Sequence, residues 1–560
     1  MSTVHSLEPD GLAQPRGQRP LRPLVERVLM IGLDGATWDV LNPLIAAGRM
    51  PALQQFIATG AAGVLHSTRP PITPAAWTSF MTGKGPGRHG IIDFERYHVH
   101  SHELTFNSTF EIREQTLWEL LSNKGLRVGS INVPMTYPPQ PVNGFMISGF
   151  ETPSTDADFT YPRELKQDIL RELPDYSYRT NWRRRPFGGL ELLRQNLDYI
   201  CDSFEQSWRL TRYCGERFGW DLLMVVMKLV DNLQHKAWKY IEPRLRHRYP
   251  RQAELTAACF SRLDKVLARF FEYAREHRAL VVIMSDHGHG SLDGKAQPNL
   301  LLQRWGYLTL RSPWQRAGQR GRYWIHRLTK GRANRFQQGT RRIEQDLAVD
   351  WSRTRACVMH AGICGFLYIN LAGRGPLGIV PPSEYEALRD EIAARMRAAT
   401  ARDRDGREIT IFPEVSKPEE LYGCRREDHP NLPDLLLTPR AGLAVVRKVR
   451  GRQPVRWCSL RRLEGTHRPE GIIALNGPGV RPGARLEGNI IDITPTTLAA
   501  LGLRVPVDME GRVLHEAFAE KLRVEREPPV ERVAEERAEV YSEEERRLLE
   551  QRLSDLGYLE

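Results

Sequence analysis

Cysteine is scarce: seven in 560 residues, an odd number, with no C-x-x-C pair. That excludes a disulfide-framed module and a thiolate metal site, and leaves Cys201, Cys214, Cys259, Cys357, Cys364, Cys424 and Cys458 as reduced, mostly buried thiols. Long apolar runs are missing too, so no membrane span is expected. The first 25 residues mix Pro, Gly and Arg, lack the apolar centre of a signal peptide and read as a disordered lead. Together these features favour the cytoplasm. Neither an internal repeat nor a long low-complexity stretch is visible.

Positive charge, by contrast, is in excess: 80 Lys and Arg against 68 Asp and Glu, a formal net charge of +12. The balance suggests an anionic ligand or surface without choosing among nucleotide, nucleic acid and lipid headgroup. The length suits one large α/β domain with insertions, or two or three domains.

Short β-branched and apolar runs, each ending in a polar or glycine-containing turn, recur at residues 26–35, 126–134, 221–231, 279–288, 432–439 and 471–479. Helical patterns separate many of them. Continuous apolar strands alternating with helices predict an α/β fold around a mostly parallel sheet buried on both faces. Ligands of such sheets bind beyond the carboxyl ends of the strands, so the residues just after each run are the ones to inspect.

Two regions interrupt the alternation. Residues 155–215 form a polar helical excursion with the basic knot NWRRRPFGG, and residues 301–430 read as an inserted cap. Within that cap, residues 311–342 carry ten Lys or Arg, no acid, and the aromatics Trp314, Tyr323, Trp324 and Phe336. Such a mixture can hold nucleic acid or a membrane surface, although a solvated loop on a basic protein is the plainer reading. The expected layout is a lead at 1–25, a core at 26–300 and 431–520, the cap between them, and a charged helical tail at 521–560. Ser542 and Glu545 stand in capping-box spacing ahead of a leucine stripe in that tail.

Four strand ends carry metal-ligand chemistry: Asp34 in IGLDG, Asp231 and His235 in VDNLQH, Asp286 and His287 in SDHGHG, and His467 in GTHRPEG. Singly each has an ordinary structural role, as a turn residue, an i,i+4 surface pair or a core histidine. Jointly they would lie along one sheet edge, where six N/O donors suit two divalent cations. Two cations can clamp the attacking and leaving oxygens of a phosphoryl transfer. Thr73, in ITPAAW, is expected at a helix N-cap with Pro74 as the first helical residue. That places its hydroxyl where a helix attracts phosphate.

The order of these motifs, L-D-G, a Thr opening a helix that ends T-G, R-H-G-I, D-x-x-x-H, S-D-H-G and a late G-x-H, resembles the type I phosphodiesterase/nucleotide pyrophosphatase branch of the alkaline phosphatase superfamily. The likeness spans about residues 26–520 and is closest to the bacterial and archaeal phosphohydrolases of that superfamily. It implies a three-layer α/β/α core with an inserted cap and a two-metal hydrolase of phosphodiesters or phosphoanhydrides. Thr73 would form a covalent phosphothreonine. Asp34, Thr73, Asp286 and His287 would bind one ion, and Asp231, His235 and His467 the other, with zinc expected and manganese open.

One position departs from the family pattern: Phe94 in RHGIIDF stands where an Asn amide is usual. Lys84, Arg88 or Lys228 are the candidate replacement cations for the substrate. The departure leaves a phosphomonoesterase or phosphomutase open. A sulfatase is disfavoured because the C-x-P-x-R nucleophile motif is missing, and a cofactor-independent phosphoglycerate mutase is a minor alternative. A catalytically silent binder of anionic lipid or nucleic acid is the alternative of a different class. The sequence leaves the oligomeric state open.

Overall fold

The computed structural model describes residues 22–101, 103–178, 182, 189–311, 349–530, 532 and 540–556. The lead through residue 21, nearly all of the basic knot, and the basic aromatic segment beyond Arg311 lie outside the described residues.

The first half of the chain alternates strand and helix. In order it forms β1 (Val28–Gly32), β2 (Ala61–His66), α1 (Thr73–Thr82), β3 (Val128–Val133), β4 (Gly144–Ser148) and β5 (Thr160–Tyr161). Then come α2 (Gly189–Phe218), β6 (Leu222–Val226), α3 (Leu229–Ile241), α4 (Pro250–Glu276), β7 (Leu280–Met284) and β8 (Gly288–Ser291). A second unit follows with β9 (Ala356–Ala361), β10 (Gly365–Ile369), α5 (Tyr385–Arg397), β11 (Glu414–Ser416) and β12 (Leu435–Thr438). The chain returns through β13 (Gly465–Arg468), β14 (Glu470–Asn476) and β15 (Arg485–Asn489), and ends in α6 (Glu543–Leu556).

Nine strands make the central sheet, in the order β15-β2-β14-β7-β1-β6-β3-β4-β5. The middle strands β1, β6 and β7 read VLMIG, LLMVV and LVVIM, are fully buried, and pair in parallel. Their side chains alternate between two cores. Val28 and Met30 join the apolar cluster that contains Trp77 and Phe80 of α1. Leu29 and Ile31 join the one built with Phe204 of α2 and Phe260 of α4. Because successive strand residues face opposite sides, a continuous apolar run is what a sheet covered on both faces requires. The result is a three-layer α/β/α core.

The run at 432–439, expected among the strands of the large sheet, lies elsewhere: β12 pairs antiparallel with β10 and β11 in a separate four-stranded sheet. Three consecutive leucines report burial on both faces and carry no information about which sheet provides it. The run at 471–479 does join the central sheet, as β14, but antiparallel to both of its neighbours. Helix α6 docks on the same chain, with the capping box formed (Ser542 N to Glu545 Oε2 2.8 Å, Glu545 N to Ser542 Oγ 3.3 Å). Leu549 and Leu553 are buried, and Arg552 donates to the carbonyls of Phe150, Thr152 and Pro153.

Candidate active site

Register brings the strand ends together. Gly32 of β1 pairs with both Val226 of β6 and Met284 of β7, so the three strands finish level. Asp34 follows the first, α3 with Asp231 and His235 follows the second, and Asp286 and His287 follow the third. β14 runs the other way, so its first residues lie at this same edge, and β13 just before it delivers His467. β8 and β13 then pair with His289 directly opposite His467. Asp231 and His235 share one face of α3, as i,i+4 residues must. All of these side chains are buried.

Around His287 lie Thr73 Oγ1 at 3.2 Å, Asp286 Oδ2 at 3.3 Å and Asp34 Oδ1 at 3.9 Å from its Nε2. Asp34, Asp231 and His287 each offer an atom within 4.8 Å of the others. The Trp77 indole N–H donates to Asp34 Oδ2 (3.2 Å), and the backbone N–H of Gly35 to Asp286 Oδ1 (3.0 Å). Gly32 has no Cβ because the Trp77 ring fills the place it would take, 2.6 Å away. Lys228 stands between the carboxylates, its ammonium donating to Asp34 Oδ1 (3.3 Å) and to Asp231 Oδ2.

Thr73 departs from the expected cap. It is the first residue of α1 itself, after Ile72 at the cap position, no side chain caps the helix, and Pro74 is second. Its hydroxyl lies 3.2 Å from His287 Nε2.

A second group gathers on the other side of Asp231: His235, His289 and His467, with ligand atoms all within 4.8 Å of one another and of the carboxylate. The imidazoles share a tautomer. Each Nδ1 faces a backbone carbonyl, His235 that of Gly465 (2.9 Å), His467 that of Pro71 (2.9 Å), His289 that of Gly35 (3.2 Å) and His287 that of Gly288 (3.0 Å). A carbonyl only accepts, so each Nδ1 carries a proton and each Nε2 is turned into the site. His235 Nε2 and His467 Nε2 are 3.1 Å apart. A cation could seat between two such nitrogens, and histidine ligands are held by this kind of Nδ1–H to carbonyl bond.

The electrostatics agree. Burial first, then the neighbouring Asp286, pushes Asp34 up to about 7, with Lys228 opposing. Burial likewise raises Asp286 to about 7. Burial would raise Asp231 as well, but His235 and Lys228 outweigh it and hold that carboxyl well below its usual range. Burial also keeps His287, His289 and His467 below the ordinary imidazole value, so their lone pairs are available. When ionised, three carboxylates against one ammonium leave a double negative charge that two divalent ions would reverse, making the site attractive to a phosphate.

The structure does not bring Lys84 or Arg88 to this cluster. They lie past the far end of α1, about 15 Å along a ten-residue helix from Thr73. There both are paired with Glu114 and Asp508, Lys84 Nζ reaching Glu114 Oε2 at 2.6 Å. The flanking carboxylates could not be read from local sequence, since Asp508 is more than 400 residues away. Lys228 is at the site. Phe94 packs edge-on against Phe150 (5.4 Å between centroids), and Lys228 Nζ lies 5.2 Å above that ring. Missing from the expected set is His289, whose signal was available: in S-D-H-G-H-G the two histidines are spaced i,i+2 and so share a face of an extended strand.

A hydroxyl at a helix start faces carboxylate and imidazole donors along the edge of a three-layer sheet, a set of groups suited to a hydrolase of phosphate esters. Within that class the description "Type I phosphodiesterase / nucleotide pyrophosphatase" matches residues 28–470, and the chain belongs to this metal-dependent family. No curated protein matches the sequence. Among solved structures the fold is similar to phosphonoacetate hydrolase from Sinorhizobium meliloti 1021 in complex with phosphonoformate, at 18% identity and a TM-score of 0.50 over 86% of this chain and 96% of that one. The phosphonoacetate complex of the same hydrolase aligns at 17% and 0.50, over the same shares of the two chains. Murine ectonucleotide pyrophosphatase/phosphodiesterase 5, an inactive variant with AMP, aligns at 11% identity and a TM-score of 0.47, again over 86% and 96%. Among the described residues no helix is long and apolar enough to cross a membrane.

Proposed function

We propose that the enzyme hydrolyses a phosphodiester or phosphoanhydride in two steps through a covalent phosphothreonine at Thr73. The observation that supports this is the Thr73 hydroxyl, 3.2 Å from His287 Nε2 at the first residue of a helix. The donor set suits two divalent cations, zinc or manganese: one held by Asp34, Thr73, Asp286 and His287, the other by Asp231, His235 and His467. Bound there, such ions supply Lewis-acid charge to the phosphoryl oxygens and make the threonine hydroxyl easier to deprotonate.

The chain's own residues do the rest. Thr73 Oγ1 attacks phosphorus; the Oγ–P bond forms, the bond to the leaving oxygen breaks, and the hydroxyl proton leaves with that oxygen or through solvent. The positive end of α1 faces the transferring group. Lys228, seated over Phe150, supplies the cation where Phe94 offers no donor. Water then attacks the phosphothreonine, the Oγ–P bond breaks, and Thr73 recovers its proton. The net charge of +12 favours a phosphate-rich anionic substrate, and the cysteine pattern is the basis for setting the enzyme in the cytoplasm.

Hydrolysis of bis-p-nitrophenyl phosphate, p-nitrophenyl thymidine monophosphate and p-nitrophenyl phosphate by zinc- or manganese-loaded protein tests the reading. Diester turnover should fall at least about 1000-fold in Thr73→Ala, roughly 4 kcal/mol of barrier, with Thr73→Ser keeping part of it. An alanine variant within tenfold of the parent would remove Thr73 as the nucleophile. Preference for the monoester would move the enzyme toward phosphatases or mutases.

A further inference from the structure

We propose that His289 is a fourth protein donor to the cation at Asp231, making that site one aspartate with three imidazoles. This rests on the two-metal reading above and specifies one half of it.

The case begins with the hydrogen bond at the other nitrogen. His289 Nδ1 points at the Gly35 carbonyl (3.2 Å) and must donate to it, so Nε2 holds a lone pair. That Nε2 is buried without a hydrogen-bond partner and lies 3.5 Å from Asp231 Oδ1, itself only an acceptor. Buried polar atoms as a rule find a partner, and a neutral histidine without a ligand would set an acceptor against an acceptor.

His289 also completes a pattern. Asp231 Oδ1 is 3.2 Å from His235 Nε2, 3.5 Å from His289 Nε2 and 3.7 Å from His467 Nε2. A tetrahedral ion with bonds of about 2.0–2.1 Å separates its ligands by about 3.3 Å, so these separations are those of one coordination shell. The backbone is shaped around the ring: Gly35 sits at φ +68°, and a Cβ there would fall 2.8 Å from His289 Nδ1. His289 stands directly opposite His467 on the paired strand, so both side chains leave the β8–β13 ladder on the same face.

The two sites then differ in kind. The shell at Asp231 is imidazole-rich and selects zinc, while the shell at His287 is carboxylate-rich; a four-donor ion can still take a phosphoryl oxygen by expanding to five-coordinate. Zinc should fill the Asp231 site first.

X-ray absorption on wild-type protein at one equivalent of zinc should count three imidazoles. In His289→Phe the count should drop to two, and affinity for that first equivalent, measured against a competing chelator, should weaken on the order of 100-fold. The second equivalent should change little. His289→Gln, which can still donate to the Gly35 carbonyl, should behave like the phenylalanine variant; tight binding restored by glutamine would reduce His289 to a positioning residue and overturn the proposal. Two imidazoles in the wild type at one equivalent, in protein that goes on to bind a second zinc ion, would also overturn it while leaving the two-metal reading standing. A wild type that takes up no zinc or manganese would remove both.

Discussion

At the scale of single residues, the site depends as much on what is missing as on what coordinates. Gly35 occupies the left-handed region, donates to Asp286, and offers its carbonyl to Gln234 and His289. An added methyl would meet His289 Nδ1 at 2.8 Å and Asp231 Oδ1 at 3.0 Å. Gly35→Ala is therefore expected to cost about 1–2 kcal/mol in backbone strain and to push both donor groups apart. Zinc titration should show affinity at both sites falling on the order of tenfold or more, as it does when supporting contacts are lost. Unchanged binding at both would show that the loop has slack. L-D-G was legible as a strand followed by a turn, whereas the reason for its glycine was not, because the atoms that exclude a side chain come from residues 231 and 289.

At the scale of elements, β9 of the second sheet is tied to the core by one buried histidine. His360 Nε2 lies 2.8 Å from Asp93 Oδ2, and its Nδ1 3.4 Å from Glu95 Oε2. Burial works against its charge, but the two carboxylates outweigh burial and raise its pKa to about 10. A histidine raised in the folded state stabilises fully below its ordinary value near 6.5, and that contribution is lost as pH climbs through about 10. His360→Gln should cost about 3 kcal/mol at pH 6, since it strands a buried carboxylate. Thermal unfolding of parent and variant from pH 6 to 10.5 should show the gap closing with pH; a constant gap would mean the contact is not an ion pair. The sequence contains RHGIIDFER and, far along the chain, VMHAG, and nothing local joins them.

At the scale of the whole molecule, the chain folds around a carboxylate edge that disfavours its own ionisation. Asp34 and Asp286 titrate near 7 when folded and near 3.8 when unfolded. Between those values the folded apoprotein holds protons that the unfolded chain has released, so their contribution to stability falls as pH rises from about 4 to about 7. Divalent ions displace those protons and remove the penalty. The rise in Tm on adding zinc to chelator-treated protein should therefore grow from pH 5 to pH 8. A rise that stays flat or shrinks over that range would place the ions away from these carboxylates.

What the sequence determined by itself was the set of strands and the chemistry at their ends. Continuous apolar runs can only be covered on both faces, and each motif keeps its ligands within a few residues of a strand or on one turn of a helix. Those are local constraints, so Asp34, Asp231, His235, Asp286, His287 and His467 were readable along with the α/β layers. Tertiary structure alone decided the rest: that β14 runs antiparallel and so returns His467 to the shared edge, that β12 belongs to another sheet, that Lys84 and Arg88 are paired with acids outside the site, and that Thr73 meets His287. Each of these depends on atoms far beyond any local window of the chain, and periodicity, which reports only which way a side chain faces, cannot say what it will meet there.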